Sequence, residues 1–137
     1  MKVTTSRDPS VKARRLAKAL ARFLTVPYVT RGKRNLDPTE TWLIVVERHG
    51  NPNGLIKRYE GEERELTFSV SMEPQSSQIR KLKKIMPVIT GLEEEAKSVA
   101  EFFELEWSPD AIGRIVVIAH EKIDFLNDGQ VVLRLKR

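Results

Sequence analysis

Three clusters of basic residues are the parts of this sequence best suited to chemistry, and the chemistry they favour is phosphate binding. One lies between Ser6 and Arg22, a second is Arg31-Gly32-Lys33-Arg34, and a third follows at 80–84. The abundant polyanion inside cells is nucleic acid, so the clusters predict a nucleic-acid-binding face, with an anionic membrane surface as the lesser alternative. The candidate phosphate-contacting residues are Ser6, Arg7, Arg14, Arg15, Lys18, Arg22, Arg31, Lys33, Arg34, Arg80, Lys81 and Lys84.

The charge is distributed unevenly along the chain. Residues 1–34 contain ten Lys or Arg and one acid, Asp8, for a net charge of +9, whereas the rest contains 14 basic and 18 acidic residues, for −4. Arg14, Lys18 and Arg22 follow one another at i, i+4 spacing, which is repulsive until an anion relieves it. Each cluster taken alone is also compatible with an ordinary solvated surface. Three clusters in one small protein strengthen the prediction of a binding face.

Residues for catalysis or metal binding are sparse. The sequence has no cysteine, which removes thiolate nucleophiles, iron–sulfur clusters and the common structural zinc sites. His49 and His120 are the only histidines and do not form a ligand-spaced pair such as HExxH. There is no glycine-rich phosphate loop after a strand and no GxSxG motif. The sequence therefore predicts no catalytic residue, no metal ligand and no cofactor.

Hydropathy and length predict one folded domain that acts away from membranes. The hydrophobic fraction of 40% over 137 residues supports a buried core. The longest apolar stretches, such as Ile115 to Ala119, are far shorter than the roughly 20 residues that cross a bilayer. The N-terminus lacks the apolar centre of a secretory signal. We therefore expect a cytoplasmic protein with no membrane partner.

The first two basic clusters require particular elements to position them. Lys2 to Thr5 is β-branched enough for a short strand, and Asp8-Pro9 predicts a helix start with Asp8 as its cap. The apolar spacing carries this helix to about Leu24 and leaves its cations on the opposite side. Pro27 to Thr30 predicts a second short strand, so the cluster at 31–34 should form an exposed loop.

The middle of the sequence predicts a meander of strands. Thr41 to Arg48 is a continuous apolar run that fits a strand buried on both faces. A turn is expected at 50–54, followed by strands at Leu55 to Tyr59 and Glu65 to Met72 with Glu60 to Arg64 as their connection.

The last part of the sequence repeats the pattern of a basic helix followed by strands. The third basic cluster falls on a helix predicted from Gln78 to Met86, and an acidic helix follows from Leu92 to about Phe103. Asn127-Asp128-Gly129 is a strong hairpin signal. The remaining strands are expected at Arg114–His120, Lys122–Leu126 and Val131–Leu135. This order predicts an α/β domain with a mixed sheet.

Several of these segments resemble a known family. They are Thr4-Thr5-Ser6-Arg7-Asp8-Pro9-Ser10, Arg31-Gly32-Lys33, and the strand Leu43 to Arg48 followed by Gly50-Asn51-Pro52. Together they resemble the Brix-domain family, and more closely its short archaeal members that are probable ribosomal biogenesis proteins. The resemblance is specific from about residue 3 to residue 60 and loose beyond it.

The resemblance implies a single Brix domain over residues 1–137, built of two similar halves that each resemble the anticodon-binding domain of class IIa aminoacyl-tRNA synthetases. It implies a role in ribosomal RNA processing and subunit assembly, with ribosomal RNA or its precursor and ribosomal proteins as partners. Its start motif falls on Ser6, Arg7, Pro9 and Ser10. Glu62 to Glu65 stands where longer eukaryotic members carry Gly-Pro-Thr, and their basic C-terminal extension is missing.

We therefore predict a non-catalytic ribosome biogenesis factor that binds ribosomal RNA through phosphates, with RNA shape setting most of the preference. The alternative is a protein-interaction module that docks a ribosomal protein or processing factor through its acidic helix or a strand edge. A third interpretation, a tRNA-binding accessory domain, rests on fold analogy alone. Aromatic residues are few and are expected in the core, so base stacking on aromatic rings has little support.

Overall fold

The computed structural model describes all 137 residues and divides them into two compact units, Met1–Ser69 and Val70–Arg137. No helix has the length and apolar character that spanning a bilayer requires. The elements of the first unit are β1 (Lys2–Thr5), α1 (Val11–Leu24), β2 (Trp42–Arg48), β3 (Asn51–Tyr59) and β4 (Glu62–Thr67). Those of the second are β5 (Ser69–Met72), which begins at the boundary, α2 (Ser76–Arg80), β6 (Val88–Gly91), α3 (Glu93–Phe103), β7 (Arg114–Ile118), β8 (Lys122–Asn127) and β9 (Gln130–Lys136).

The first unit is a four-stranded sheet with one helix packed on it. The strands lie in the order β1-β2-β3-β4; β1 and β2 are parallel, and the other pairs are antiparallel. The central strand β2 is buried on both faces as the sequence predicted: Leu43 and Val45 on one face are fully inaccessible to solvent, and Trp42 and Ile44 on the other face are buried as well. Leu16 and Leu20 of α1 are buried in the same core, which turns the cations of α1 outward.

The second unit repeats this arrangement. Its strands lie in the order β5-β9-β8-β7-β6, with β6 and β7 parallel and the β7-β8-β9 meander antiparallel. Phe103 of α3 makes edge-to-face contacts with Phe102 and Phe125, at ring centroid distances of 5.3 and 6.4 Å. The chain thus forms two mixed sheets, whereas the sequence predicted one.

The order β1-α1-β2-β3-β4 of the first unit recurs in the second as β6-α3-β7-β8-β9, which β5 and α2 precede. Helix α1 ends at Thr25 and α3 at Glu104; both residues are left-handed, and both donate their backbone N–H to the carbonyls three and four residues earlier. After each helix the chain returns beside the first strand, where Val3 bridges Tyr28 and Ile89 bridges Trp107. Residues 17–28 therefore correspond in order to residues 96–107.

The start of α1 differs from the prediction. Asp8 has a positive φ of 52° and does not cap the helix. Ser10 is the cap, because its extended backbone lets the side-chain oxygen accept a hydrogen bond from the backbone N–H of Ala13 at 3.1 Å. The Pro at position 9 lies before the cap, not at the first helical position. The prediction of a helix ending at Leu24 is confirmed.

The turns of the first sheet are tighter than predicted. The chain turns at His49-Gly50, and β3 already begins at Asn51, so most of the expected turn at 50–54 is strand with a bulge next to Val46. The next turn is only Glu60-Gly61, whose φ values of 49° and 79° are those of a type I′ hairpin. The predicted strand at Pro27 to Thr30 is reduced to a single bridge at Tyr28.

The prediction of one half-buried strand from Glu65 to Met72 is wrong. It divides into β4 and β5, which belong to different sheets. Phe68 separates them; it is buried and donates its backbone N–H to the carbonyl of Asn53 at 3.1 Å. The alternation of apolar and polar residues continues across the break, so periodicity alone does not reveal the change of sheet.

The predicted basic helix from Gln78 to Met86 is also shorter than expected. Helix α2 covers only Ser76–Arg80, and Ile85 and Met86 are 49% and 68% exposed, not packed on a shared apolar face. Beyond α2, the buried side chain of Arg114 donates hydrogen bonds to the carbonyls of Lys83 and Ile85 at 3.1 and 3.2 Å. These bonds hold residues 83–85 in a loop.

The rest of the second unit follows the prediction. Helix α3 begins one residue after the expected Leu92, and β8 and β9 are joined by the predicted hairpin, in which Asp128 and Gly129 have positive φ. Strand β7 ends at Ile118, two residues before the predicted His120. Of the six aromatic residues expected in the core, Trp107 is half-buried and the other five are buried: Phe23, Trp42, Phe68, Phe102 and Phe103.

Candidate nucleic-acid interface

The outer face of α1 is a stripe of cations. Eight of its 14 residues are buried, and the helix contains no acidic side chain. Because the buried arc is wide, the exposed arc is narrow and brings its members close together. Apart from Val11, the exposed residues are all basic, and we call them the α1 stripe: Lys12, Arg14, Arg15, Lys18 and Arg22.

One member of the α1 stripe also contacts the protein itself. The Lys18 ammonium lies 5.7 Å from the centroid of the Tyr28 ring, a cation–π distance. The corresponding residue of the second unit, Lys97, lies 4.7 Å from the ring centroid of Trp107. The contact recurs at equivalent positions, so Lys18 links α1 to the chain that follows it as well as contributing positive charge.

The N-terminus of α1, where the sequence favoured a bound phosphate, is occupied by a carboxylate of the chain. Glu47 on β2 accepts a hydrogen bond from the backbone N–H of Ser10 at 3.0 Å and a second from the Ser10 hydroxyl. A negative charge at this position is stabilised by the helix dipole. Glu47 is not predicted from the sequence, because nothing in the local pattern relates it to Ser10, 37 positions earlier.

Arg7 and Arg31 of the first two clusters come together near the carboxyl end of β1. Arg7 donates a hydrogen bond to Asn35 Oδ1 at 3.1 Å, and Arg31 reaches the carbonyl of Thr5 at 3.4 Å. Partial burial lowers the pKa of the Arg31 guanidinium, and the neighbouring positive charges of Arg7 and Arg58 lower it further. The Nε atom of Arg31 is buried and has no hydrogen-bond partner. We call Arg7, Arg31 and Arg58 the guanidinium cluster.

Arg58 was missed by the sequence analysis. It lies on β3, and its guanidinium donates to the Glu63 carboxylate on β4 at 2.8 Å. In sequence it follows Lys57 within an ordinary amphipathic strand, so no local signal distinguishes it. Its positive charge nevertheless acts on Arg31 and contributes to the lowered pKa of that guanidinium.

The remaining predicted residues of the first unit lie around the same region. Ser6 continues the line of β1, because its backbone N–H donates to the carbonyl of Val45 at 3.0 Å. Lys33 and Arg34 are exposed in the loop that follows Arg31. Gly32, between Arg31 and Lys33, has a φ of +56°. The prediction of an exposed basic loop is confirmed as a structural feature.

The third basic cluster belongs to the second unit. Arg80 ends α2, Lys81 follows as its C-cap, and Lys84 lies in the loop; all three are exposed. The loop is fixed from below by Arg114, which is only 4% exposed and also donates from Nε to Asn127 Oδ1 at 3.0 Å. Burial lowers the pKa of the Arg114 guanidinium, and the charge of Asp128 opposes that shift.

The two histidines do not belong to these clusters. His49 occupies the left-handed position of the β2–β3 turn. His120 is exposed, with Nδ1 3.3 Å from a carboxylate oxygen of Glu95. Across the 137 residues, no three His, Asp or Glu side chains come together in a way that could hold a metal ion.

The fold and the basic surfaces define a class: a two-unit α/β protein in which each unit is a mixed sheet carrying one outer helix. The same fold occurs in the crystal structure of Mil, an archaeal Imp4-like protein, with a TM-score of 0.78, 24% identity, and coverage of 99% of this chain and 95% of that one. A probable ribosomal biogenesis protein from Aeropyrum pernix K1 gives a TM-score of 0.68 at 23% identity, covering 99% and 93% of the two chains.

Sequence comparison identifies the family. A curated protein of Methanosarcina mazei named probable Brix domain-containing ribosomal biogenesis protein is 34% identical over 150 residues, which cover 98% of this chain and 94% of that protein. No family model matches the sequence. At this identity and coverage, the chain belongs to the Brix domain-containing ribosomal biogenesis proteins. The family resemblance of the sequence motifs is thereby confirmed.

Proposed function

We propose that this protein binds ribosomal RNA or its precursor during ribosomal RNA processing and subunit assembly, and that it acts without catalysis. The observation that carries the proposal is the guanidinium cluster. Arg31 is half-buried, and the positive charges of Arg7 and Arg58 act on its guanidinium. A phosphate bound to the accessible part of this guanidinium would offset the repulsion among the three cations.

The α1 stripe supports the same function over a wider surface. Arg14 and Arg15 are exposed on a helix that contains no acidic side chain. Exposed cations on a rigid helix suit contacts to successive phosphates, which position an RNA without reading its bases. Lys33, Arg34 and the third cluster of Arg80, Lys81 and Lys84 extend the proposed contacts, and Ser6 adds a hydroxyl donor.

The proposal also concerns the domain organisation of the protein. We propose that residues 1–137 act as a single Brix domain and that each unit resembles the anticodon-binding domain of class IIa aminoacyl-tRNA synthetases. The support is the repeated β-α-β-β-β order with a parallel first pair of strands. The named relative is archaeal, and cells without a nucleus assemble ribosomes in the cytoplasm, so we propose the cytoplasm as the place of action.

The test compares two arginines of the same unit. The Arg31→Met variant removes the partly buried guanidinium, and Arg48→Met removes an exposed one at the end of β2. We expect Arg31→Met to weaken binding of a ribosomal RNA fragment at least tenfold at fixed salt, and Arg48→Met to change it by less than threefold. Equal affinities of the two variants, or no retention of RNA by the wild-type protein, would overturn the proposal.

The non-catalytic part has its own test. The double variant His49→Ala/His120→Ala is expected to bind RNA with the affinity of the wild-type protein. Incubation of pure protein with labelled ribosomal RNA should leave the RNA intact. RNA cleavage that co-purifies with the folded protein and is lost in the double variant would show that the protein is an enzyme.

A second candidate function is docking of a ribosomal protein or processing factor on α3. The specific observation is a reversal of charge: Glu93, Glu94 and Glu101 occupy the α3 positions that correspond to Arg14, Arg15 and Arg22 on α1. An acidic outer face suits a basic protein better than RNA. Loss of function in cells on charge reversal of α3, with normal ribosome assembly by an Arg14/Arg15/Arg22 triple alanine variant, would favour this candidate.

A further inference from the structure

A polar cleft of about 320 Å³ lies within the second unit between α2 and the β8–β9 hairpin. Its volume falls at the lower end of the roughly 300–1,000 Å³ range of small-molecule sites. Its lining is dominated by side chains that hydrogen-bond without charge. The lining residues are Ser77, Gln78, Lys81, Leu82, Asn127, Gln130 and Val132.

Three carboxamides converge on this cleft from separate segments. Asn127 and Gln130 are direct partners across the antiparallel β8–β9 pair, so their side chains lie on one face of the sheet. Gln78 approaches from α2. Each carboxamide offers both a donor and an acceptor, which is the combination that the edge of a nucleobase requires.

One of these carboxamides is held in a fixed orientation. The buried Arg114 donates its Nε–H to Asn127 Oδ1 at 3.0 Å. With the oxygen engaged by Arg114, the amino group is the donor that Asn127 offers to the cleft. The same guanidinium fixes the loop that follows Lys81 by binding the carbonyls of Lys83 and Ile85. The cleft is therefore preorganised by a single buried side chain.

The other lining groups match the remaining parts of a nucleotide. Leu82 and Val132 are each 3% exposed and give the cleft an apolar floor for the face of a base. Lys81 is exposed beside it, and Arg80 and Lys84 lie nearby in sequence. One lysine among three carboxamides is a poor site for free phosphate but suits a base with an attached phosphate.

We propose that this cleft binds one unpaired ribonucleotide of the bound RNA. The base edge is read by the carboxamides of Gln78, Asn127 and Gln130, and the attached phosphate contacts Lys81. This inference rests on the proposed RNA-binding function and adds to it a preference for single-stranded nucleotides, whose edges are accessible in RNA, over paired ones.

The first experiment measures that preference. Affinities are determined for a fully paired, blunt-ended RNA duplex and for the same duplex carrying a four-nucleotide single-stranded bulge. We expect wild-type protein to favour the bulged RNA at least tenfold. The Gln78→Ala/Gln130→Ala variant should lose the preference while keeping its affinity for the paired RNA. Gln75→Ala, which removes an exposed carboxamide that makes no cap bond just before α2, is the matched control and should keep the preference.

The second experiment separates failure of the cleft from failure of RNA binding. AMP, GMP, CMP and UMP are titrated at millimolar concentration while the side-chain amide signals of Gln78, Asn127 and Gln130 are followed by NMR. Shifts of these signals with at least one nucleotide support the cleft even if long RNA is not bound. Absence of shifts with all four nucleotides, or an unchanged bulge preference in the double variant, would overturn the inference and leave the guanidinium cluster unaffected.

Discussion

The carboxylate of Glu47 binds both the backbone N–H and the hydroxyl of Ser10, so a strand residue binds the cap of a helix that lies 37 positions before it in the sequence. The Ser10 hydroxyl at the same time accepts from the backbone N–H of Ala13. Ser10 thus links the Glu47 carboxylate on β2 to the first turn of α1 through a relay of two hydrogen bonds. The arrangement fixes the connection between β1 and α1, which carries Ser6 and Arg7.

Removing this relay should reduce the stability of the protein. The Ser10→Ala variant loses the helix cap and leaves the Glu47 carboxylate with only one of its two hydrogen bonds, so we expect unfolding to become easier by about 1–2 kcal/mol. Urea denaturation followed by circular dichroism measures the change. Ser98→Ala on the exposed face of α3 is the control and should stay within about 0.5 kcal/mol of wild type. Equal stabilities of the two variants would contradict the role assigned to Ser10.

Arg114 should be the most sensitive basic residue of the second unit. The Arg114→Ala variant leaves the carbonyls of Lys83 and Ile85 and the Asn127 oxygen without their donor, at an expected cost of about 2–4 kcal/mol. Thermal denaturation reports the stability, and limited trypsin digestion after Lys83 or Lys84 reports release of the loop. Ile85→Ala keeps the backbone carbonyl and both trypsin sites, and serves as the control. A stable Arg114→Ala variant that resists trypsin would refute this account of the loop.

Arg14 of the α1 stripe should contribute to RNA binding without contributing to stability. Arg14→Ala removes one exposed cation, so the free energy of unfolding should change by no more than about 0.5 kcal/mol. If Arg14 neutralises one phosphate, the slope of log K against log salt should fall by roughly one unit. Glu94→Gln at the corresponding position of α3 is the control, and the salt slope of that variant should match wild type. An unchanged slope for Arg14→Ala would remove Arg14 from the interface.

The pairing of Glu95 with Arg137 predicts a pH dependence. The hydrogen bond from Arg137 is the main cause of a lowered pKa of the Glu95 carboxyl, and the Arg137 charge and His120 add to it. A folded-state pKa below the unfolded value means that the pairing stabilises the fold above the ordinary carboxyl range and is lost as the pH falls through the lowered pKa. NMR titration of the Glu95 carboxyl carbon should show a raised pKa in Arg137→Ala. The same pKa in both proteins would contradict the pairing.

The sequence predicts those parts of the fold whose signals are local. The 3.6-residue periodicity locates α1 and α3 within three residues, and Asn127-Asp128-Gly129 marks its hairpin because positive φ is needed there. The basic loop at 31–34 follows from its composition in the same way. Local signals alone therefore indicate most candidate residues of the first unit.

The errors of the sequence analysis have a common cause in contacts between distant residues. The helix predicted over Gln78 to Met86 covers only Ser76–Arg80, and the chain beyond it is bound by the distant Arg114 through the carbonyls of Lys83 and Ile85. Glu47 and Arg58 take their places through strand pairing, which local patterns do not encode. The division of Glu65 to Met72 between two sheets is likewise a matter of which strand pairs with which.

The correspondence of Lys18 with Lys97 gives the chain an internal comparison. Both lysines keep the same contact with an aromatic ring, while the positions around them carry arginine on one helix and glutamate on the other. The packing of the helix and the sign of its solvent face are therefore separable properties of one scaffold. Exchanging the three charged side chains between the helices would leave amino-acid composition, length and the net charge of +5 unaltered. Any difference in the behaviour of such an isomer of the protein reports where the charges lie and not how many there are.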